Sequence, residues 1–292
     1  MKKLILGSVA LAAMITDPAM AADMPVRAPS VYRAPAPAWS WTGFYVGGEV
    51  GAKWLDDRWT ATSLFDGGGP LTGSPALPID ASSPRHYDIT GARVGGYVGY
   101  NWQFDSKWVA GIEADAAWAH ASSTQAGFPG CTIASTCVVG AFATPNGLPF
   151  GGDTTRVTMN WDASVRGRLG YLVTPDTLIY GTGGVAFQNI EAFGQCGSLI
   201  SSALCFTTTG QTAPSPGITQ STTLVGWTIG AGVEAHLWGN WLLRAEYRYA
   251  DFGAWSTSFA FPSPAPGVGN NTYRLSNSVN TNIATAGLAY KF

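Results

Sequence analysis

Charged side chains in this chain keep to one side of a two-residue alternation. Between residues 108 and 119, Trp108, Ile112 and Trp118 share one parity, whereas Glu113 and Asp115 share the other. Residues that alternate in this way face opposite sides of a β-strand. A lipid-facing surface requires such an uncharged side, because a Lys or Arg at mid-membrane costs about 2–4 kcal/mol. The pattern therefore predicts a strand with one face against lipid.

The same alternation recurs in eight segments, and their connections alternate between short and long. The segments are roughly 42–54, 90–104, 108–119, 157–173, 177–188, 222–237, 241–251 and 280–292. The short connections are 105–107, 174–176 and 238–240, and the long ones are about 55–89, 120–156, 189–221 and 252–279. An even number of antiparallel strands puts both chain ends on one side. We predict an all-β fold, an eight-stranded antiparallel transmembrane up-and-down β-barrel with four long extracellular loops.

Aromatic spacing gives an independent check on length. Three same-face aromatic pairs lie ten residues apart: Phe44 and Trp54, Trp108 and Trp118, Trp161 and Tyr171. Ten residues rise ~33 Å along a strand, and a tilt of about 40° reduces this to the ~25 Å between the aromatic girdles of a membrane barrel. The alternative is a soluble barrel or sandwich whose apolar parity faces a core, and it does not require this spacing. The fifth segment fits least well, since Ile179 and Val185 have the parity opposite to Leu178.

Composition narrows the class of protein further. Of the 292 residues, 12% are charged, and the net charge is −2, whereas average proteins carry about 25% charged residues. The high apolar and aromatic content argues against intrinsic disorder, and the absence of a basic excess argues against nucleic-acid binding. After the N-terminal segment, no stretch approaches the ~20 continuous apolar residues of a membrane helix. These observations favour an all-β exported or membrane protein.

The N-terminal region has the pattern of an export signal followed by a linker. Two lysines precede a short apolar run, and Ala19-Met20-Ala21 fits the small-x-small cleavage rule. We therefore expect a signal peptide over residues 1–22, cut after Ala21 or the next residue. Residues 23–40 are rich in Pro and Ala and predict an extended periplasmic linker. The barrel then occupies residues 41–292.

Thirteen charged residues have the parity that faces the lumen. Nine of them form a predicted plug of paired charges: Arg93, Glu113, Asp115, Arg166, Arg168, Glu234, Arg244, Glu246 and Arg248. The other four are Glu49, Lys53, Asp162 and Lys291. An eight-stranded barrel has an interior just wide enough for side chains, and unpaired charges there would be costly. We expect a filled structural interior, with a gated or narrow ion path as the alternative.

Several motifs resemble one family, the small outer-membrane barrels of alphaproteobacteria that include the 25- and 31-kilodalton surface antigens. The motifs are WTGFYVGG at residues 41–48, GGYVGYNW at 95–102, VRGRLGY at 165–171, YGTGGVA at 180–186 and AGLAYKF at 286–292. The resemblance implies an eight-stranded barrel with a structural or surface role. Some relatives are described as porins and some as haem binders. By the same resemblance, Tyr290 and Phe292 form the C-terminal signal read by the barrel-assembly machinery.

The four cysteines fall as two local pairs, each within one long connection. Export makes disulfides available to Cys131, Cys137, Cys196 and Cys205. Three pairings are possible, and we favour the local ones, 131 with 137 and 196 with 205. A metal site is disfavoured because there is no CxxC motif and no neighbouring His.

The three histidines raise the question of an enzyme. His120-Ala121-Ser122 resembles the His-x-Ser pair of lipid A deacylating barrels, which add an acidic partner that orients the His. No Glu lies between Glu113 and Glu191, so we expect no catalytic residues. His86 is predicted to lie in a loop and His236 to form hydrogen bonds in the lumen. A rim histidine such as His86 or His120 would be the natural iron ligand if haem bound.

These observations lead to one leading interpretation and three alternatives. We expect a non-enzymatic outer-membrane β-barrel with a structural or surface role in the cell envelope, with no cofactor and no metal. The alternatives are a narrow porin-like pore for small solutes, a surface site for a haem-type ligand, and a lipid A hydrolase. The expected partners are outer-membrane lipid, lipopolysaccharide and the barrel-assembly machinery, and no nucleic acid. The predicted location is the outer membrane, with both termini in the periplasm.

Overall fold

A computed structural model of the chain describes residues 39–67, 69–70, 84–127, 154–195, 217–261 and 269–292. The predicted signal peptide, all of the linker before residue 39, and the four cysteines lie outside the described residues. Within the described ranges, no helix has the length and apolar character that crossing a membrane requires.

Strands make up almost all of the described chain. The described strands are β1 Gly43–Gly67, β2 Gly69–Pro70, β3 Arg85–Gln103, β4 Trp108–Ala126, β5 Thr154–Thr174, β6 Thr177–Gln195, β7 Ile218–His236, β8 Trp241–Phe261 and β9 Gly269–Lys291. Apart from the two-residue β2, these strands have 19 to 25 residues. They are therefore much longer than the usual strand of about 5–6 residues.

The long strands close into a ring. Each pairs antiparallel with the next along the chain, and β9 returns to pair with β1 over the range from Tyr45↔Lys291 to Gly67↔Gly269. The three short connections, 104–107, 175–176 and 237–240, lie at one end of the ring, here called the turn end. The opposite end is the loop end. The predicted eight-stranded antiparallel barrel is confirmed.

The outward face carries an apolar band between two rings of aromatic side chains. Mid-band residues such as Val98 and Ile112 are 52% and 68% exposed. The turn-end girdle contains Phe44, Trp102, Trp108, Tyr171, Trp241 and Tyr290, and the loop-end girdle contains Trp54, Trp118, Trp161, Phe187, Trp227 and Tyr249. Each predicted pair ten residues apart therefore spans from one girdle to the other, and this arrangement is that of a barrel exposed to lipid.

Beyond the loop-end girdle, the strands continue but their polarity reverses. On β1, Leu55 and Trp59 point inward and are at most 2% exposed, whereas Asp56 and Arg58 point outward. Once the strand leaves lipid, its outer face meets water and its inner face packs into a mainly apolar core, in which the buried Asp57 accepts a hydrogen bond from the Trp59 indole at 2.6 Å. The predicted loop boundaries near residues 55, 89 and 279 were therefore wrong. The change of pattern there marks the edge of the membrane band rather than the end of a strand.

The poorly alternating fifth segment, β6, has a simple explanation. Leu178 and Tyr180 point inward and are 0% and 5% exposed, whereas Ile179 and Val185 point outward and are 48% and 45% exposed. Near the turn end, the interior is apolar as well, so both faces of this strand carry apolar residues. The segment therefore joins the ring in ordinary register, from Thr177↔Ala235 to Gly194↔Ile218.

Candidate functional site

The middle of the lumen is filled by twelve charged side chains. Six are basic and six are acidic: Lys53, Arg93, Arg166, Arg168, Arg244 and Arg248, with Glu49, Glu113, Asp115, Asp162, Glu234 and Glu246. Each is at most 6% exposed, and every acid has a basic nitrogen within 4.0 Å. Six positive and six negative formal charges cancel, so the network is neutral as a whole.

The half of the network nearer the turn end is centred on Glu113. Its carboxylate accepts hydrogen bonds from Arg166 Nη2 at 2.6 Å and from Arg244 Nη1 at 2.6 Å. The hydroxyl of Tyr45 donates to Glu113 Oε2 at 2.8 Å and accepts from Arg168 Nη1 at 2.9 Å. Arg168 Nη2 also lies 2.5 Å from Glu234 Oε2. Carboxylates with several charge-assisted bonds of this kind are well compensated for burial.

The half nearer the loop end is centred on Arg93. Its guanidinium bonds to Glu49, lies 2.6 Å from Asp115 Oδ2, and lies 2.8 Å from Asp162 Oδ1. Lys53 Nζ donates to Asp162 Oδ2 at 2.8 Å. One guanidinium thus joins three carboxylates from three different strands.

Glycines on the lumen face leave space for the large side chains that fill the lumen. A Cβ atom built on Gly232 would lie 2.5 Å from the hydroxyl of Tyr180, and one built on Gly111 would lie 2.7 Å from Asn101 Oδ1. Neither position has space for a larger side chain without movement of its neighbour. The glycines on the lumen face are therefore part of the packing and do not line an open channel.

Apolar clusters lie beyond the charges at both ends of the lumen. The loop-end cluster includes Trp59, Tyr87, Phe259 and Tyr273, each 0% exposed. The turn-end cluster includes Trp41, Val109, Leu172, Leu178 and Leu242, none more than 6% exposed. Well-packed apolar side chains leave few voids larger than a water molecule. Along the described strands, the lumen therefore consists of a neutral ionic layer between two mainly apolar layers, of which the loop-end one also contains the buried Asp57.

The residues just before β1 cover the opening at the turn end of the barrel, here called the mouth, with two tryptophans, Trp39 and Trp41. Trp41 donates from its backbone N to Gln103 Oε1 at 3.1 Å and from its indole to the carbonyl of Pro175 at 3.1 Å. Trp39 stacks on His236, with ring centroids 3.9 Å apart and planes 9° apart. Lys291 Nζ lies 4.7 Å from the centroid of Trp39. We call residues 39–42 the mouth segment.

His236 contacts two turns through its ring nitrogens and the mouth segment through its ring face, which stacks on Trp39. Nδ1 lies 2.9 Å from Asp176 Oδ1, and Nε2 lies 2.9 Å from the carbonyl oxygen of Gly239. His236, expected to form hydrogen bonds in the lumen, instead ends β7 at the mouth and ties two turns together.

The nine residues predicted to form a charge plug all lie in this network, with Glu49, Lys53 and Asp162 beside them. Lys291 lies at the mouth instead. Sequence reasoning did not identify the hydroxyl partners Tyr45, Tyr180 and Ser164, although their inward parity was readable. It also did not identify the mouth segment, where the only signal was a pair of tryptophans at the end of a Pro-rich stretch.

The other candidate residues lie on the outer surface. His86 lies on β3 rather than in a loop, points outward, and has Nδ1 3.4 Å from Asp56 Oδ2. His120 and Ser122 both point outward from β4, and His120 Nδ1 lies 2.9 Å from Asn160 Oδ1, so an amide occupies the place of an acidic partner. Within the described part of the chain, no group of three or more His, Cys, Asp or Glu side chains is arranged to hold a metal ion.

The fold and lumen together define a class of protein. A closed antiparallel ring with an apolar outer band, two aromatic girdles and an ionic interior is an outer-membrane β-barrel. The chain belongs to the family described as outer membrane protein beta-barrel domain, whose model matches residues 8–292. The protein is therefore located in the outer membrane, with its turn end toward the periplasm.

The proteins that are similar to this chain are likewise named as outer-membrane proteins. The chain is 32% identical over 297 residues to the 31 kDa outer-membrane immunogenic protein of Brucella melitensis, covering 100% of both chains. It is 26% identical over 296 residues to the 25 kDa outer-membrane immunogenic protein of Brucella abortus, covering 100% of this chain and 99% of the relative. The crystal structure of OprG from Pseudomonas aeruginosa is similar at 12% identity and a TM-score of 0.42, covering 86% of this chain and 96% of that one. The predicted resemblance to the 25- and 31-kilodalton antigens is confirmed.

Proposed function

We propose that this protein is a closed, non-enzymatic barrel that stiffens the outer membrane and displays surface segments. The observation that supports this proposal is the neutral twelve-residue ionic network, which lies between two apolar layers. An ion that crosses such a lumen must leave water, pass apolar side chains and break buried ion pairs. Each of these steps is costly in a medium of low dielectric constant.

Planar-bilayer recording of the refolded protein tests this proposal. We expect no steady single-channel steps from the wild-type barrel. The reference is a variant in which Trp41, Arg168, Glu234, Trp59 and Phe259 are all replaced by Ala, since it removes the mouth closure, one central ion pair and two large side chains of the loop-end layer, and it should conduct. Steady steps from the wild-type protein would contradict the closed barrel and support the narrow-pore alternative.

The narrow-pore alternative rests on one feature of the ionic network, the contacts of Arg93. Arg93 contacts three carboxylates, of Glu49, Asp115 and Asp162. Asp115 and Asp162 each have a second cation, Arg248 and Lys53, so Arg93 can release either of them without leaving an acid unpaired. A gate of this kind would make conductance depend on voltage. Recording over a range of voltages therefore distinguishes a permanently filled lumen, which stays silent throughout, from a gated one.

The absence of enzymatic activity is also part of this proposal. A barrel hydrolase acting on lipid would use Ser122 as nucleophile and His120 as base. The described hydrogen bonds include none between these two side chains, and His120 is bonded to Asn160 instead. Incubation with purified lipid A should release no fatty acid. Release by the wild-type protein that is lost in His120→Ala would contradict the proposal and establish the hydrolase alternative.

A further inference from the structure

A row of hydrogen-bonded polar side chains crosses four strands on the outer surface. His120 Nδ1 lies 2.9 Å from Asn160 Oδ1, and Asn160 Nδ2 donates to Asn189 Oδ1 at 3.1 Å. Asn189 Nδ2 in turn donates to the carbonyl of Thr222 at 3.2 Å and lies 3.5 Å from Thr223 Oγ1. We call His120, Asn160, Asn189 and Thr223 the outer polar row.

The aromatic girdle fixes the depth of this row. His120 is two residues beyond Trp118 on β4, Asn160 is next to Trp161 on β5, and Asn189 is two residues beyond Phe187 on β6, in each case toward the loop end. Aromatic girdles lie at the membrane–water interface. The outer polar row therefore continues the lipid-contacting surface at the depth of lipid head groups.

The row is suited to a ligand with many hydroxyl groups. Asn side chains offer donors and an acceptor together, and the imidazole and hydroxyl groups add more of both. The bonds within the row fix the orientation of Asn160 and Asn189, while His120 and Thr223 are exposed. Such a preorganised set of groups loses little conformational entropy on binding.

Charges at the same depth differ between the two sides of the barrel. On the opposite side, Asp56 and Asp88 are direct cross-strand partners, and Asp251 lies near them on β8. Arg58 and His86 lie one step further out, and His86 Nδ1 is 3.4 Å from Asp56. Three acids at the interface disfavour an anionic head group there.

The side of the barrel that carries the row has a balance of charges that is more favourable for binding an anion. Among the described residues of β4 to β7, the charged groups on the outer face beyond the girdle are one base, Arg156, and one acid, Glu191. The guanidinium of Arg156 lies 4.7 Å from the ring centroid of Phe193, which holds it on the outer face of β5. A phosphorylated ligand extending outward from the row would meet this guanidinium.

From these observations we propose that the outer polar row binds the phosphorylated sugar head group of the outer-leaflet glycolipid, lipopolysaccharide. The sugar hydroxyls bond to the amides, the acyl chains lie against the apolar band below, and the phosphate faces the Arg156 side. The site is separate from the lumen. Conductance therefore tests the closed barrel, and glycolipid binding tests this proposal.

Native mass spectrometry of the detergent-solubilised full chain, titrated with purified bisphosphorylated lipid A, measures the interaction. We expect wild-type protein to bind lipid A in preference to phosphatidylglycerol, an anionic lipid without sugar. The double variant Asn160→Leu with Asn189→Leu should bind lipid A about tenfold more weakly, the loss expected for one or two hydrogen bonds.

The matched control carries the same substitutions on the far side of the barrel. Asn280 and Asn282 lie on the outer face of β9 at the same depth, across from β5 in the ring, and their double Leu variant should change affinity less than twofold. Heat-dependent mobility on gels confirms that each variant folds. If a double Leu variant does not fold, two single variants replace the double ones: Asn160→Ser as the test and Asn280→Ser as the control. Equal affinity of both variants, or equal binding of phosphatidylglycerol and lipid A by the wild type, would overturn the proposal.

Discussion

At the scale of single residues, Arg168 and Glu234 show how the lumen tolerates its charges. Arg168 Nη2 lies 2.5 Å from Glu234 Oε2, and its guanidinium carbon lies 4.1 Å from the centroid of the Tyr180 ring. Both side chains are at most 1% exposed. Within the described structure, Arg168 is the one ion-pair partner of Glu234. The Glu234 carboxylate is therefore tolerated only while Arg168 is present, whereas Arg168 Nη1 also lies 3.6 Å from Glu113 Oε2.

We expect Arg168→Met to lower the free energy of unfolding by about 3–5 kcal/mol, because it leaves the Glu234 carboxylate buried without a cation. The double variant Arg168→Met with Glu234→Gln removes both charges and should recover most of that loss. Urea unfolding in lipid vesicles, followed by tryptophan fluorescence, provides both values. Equal destabilisation of the single and double variants would show that the pair contributes packing rather than charge compensation.

Sequence parity predicted which charged residues face inward, but it could not predict their partners. Glu234 is the direct cross-strand neighbour of Arg244 in the register of β7 and β8. In the barrel, however, it pairs with Arg168 of β5, and Arg244 pairs with Glu113 and Glu246. These pairings depend on how the ring curves and on how far each side chain reaches across it. Neither is encoded in a local pattern.

At the scale of elements, each strand is one continuous ladder that passes through two environments. The membrane portion was predictable because an uncharged outer face is a strong signal. The loop-end portion was not, since the inner and outer faces exchange polarity between Trp54 and Leu55 on β1. A pattern search that assumes one fixed apolar side ends the strand at that point.

The lipid-facing assignment of β3 is tested by placing a charge at mid-band. Val98 is 52% exposed and lies in the apolar band, so Val98→Arg should destabilise the protein by about 2–4 kcal/mol. Ser256→Arg, at an exposed position on the outer face of β8 beyond the loop-end girdle where the cross-strand partner is Ser276, is the control and should be nearly neutral. The measurement is unfolding in vesicles, and similar losses for both variants would contradict the placement of the band.

The mouth segment is a second element with a testable role. Trp41 is 1% exposed and bonds to two turns, so Trp41→Ala should cost about 3–5 kcal/mol. It should also speed amide hydrogen exchange in the mouth segment, residues 39–42, as measured by mass spectrometry. In contrast, Thr62→Ala, an exposed change at the other end of β1, should leave both properties as they are. Unchanged hydrogen exchange of the mouth segment in Trp41→Ala would show that other contacts hold it.

At the scale of the whole molecule, the barrel extends well beyond the membrane. The apolar band spans about ten residues of each strand, whereas the long strands have 19 to 25 residues. The projecting part has its own apolar core, which includes Trp59, Tyr87 and Tyr273. The protein therefore presents a folded, water-exposed cylinder to the outside of the cell.

Hydrogen exchange distinguishes this cylinder from the loops that the sequence predicted there. Backbone amides of residues 57–61 and 275–279, which pair with each other across β1 and β9, should exchange slowly because they are part of a sheet over a buried core. Mass spectrometry of the protein in micelles measures the rates, with the mid-band segment 46–52 as the protected reference. Exchange as fast as in an unstructured peptide would contradict the projecting cylinder.

The ionic layer also constrains how the barrel can be made. Its contacts join strands that are far apart in the ring, such as Arg166 on β5 with Glu246 on β8, and Lys53 on β1 with Asp162 on β5. A half-assembled sheet would therefore hold several charges without counter-ions and could not be released into the bilayer. Insertion and closure must then be completed together, and an assembly intermediate has to stay sheltered until the last strand is in place.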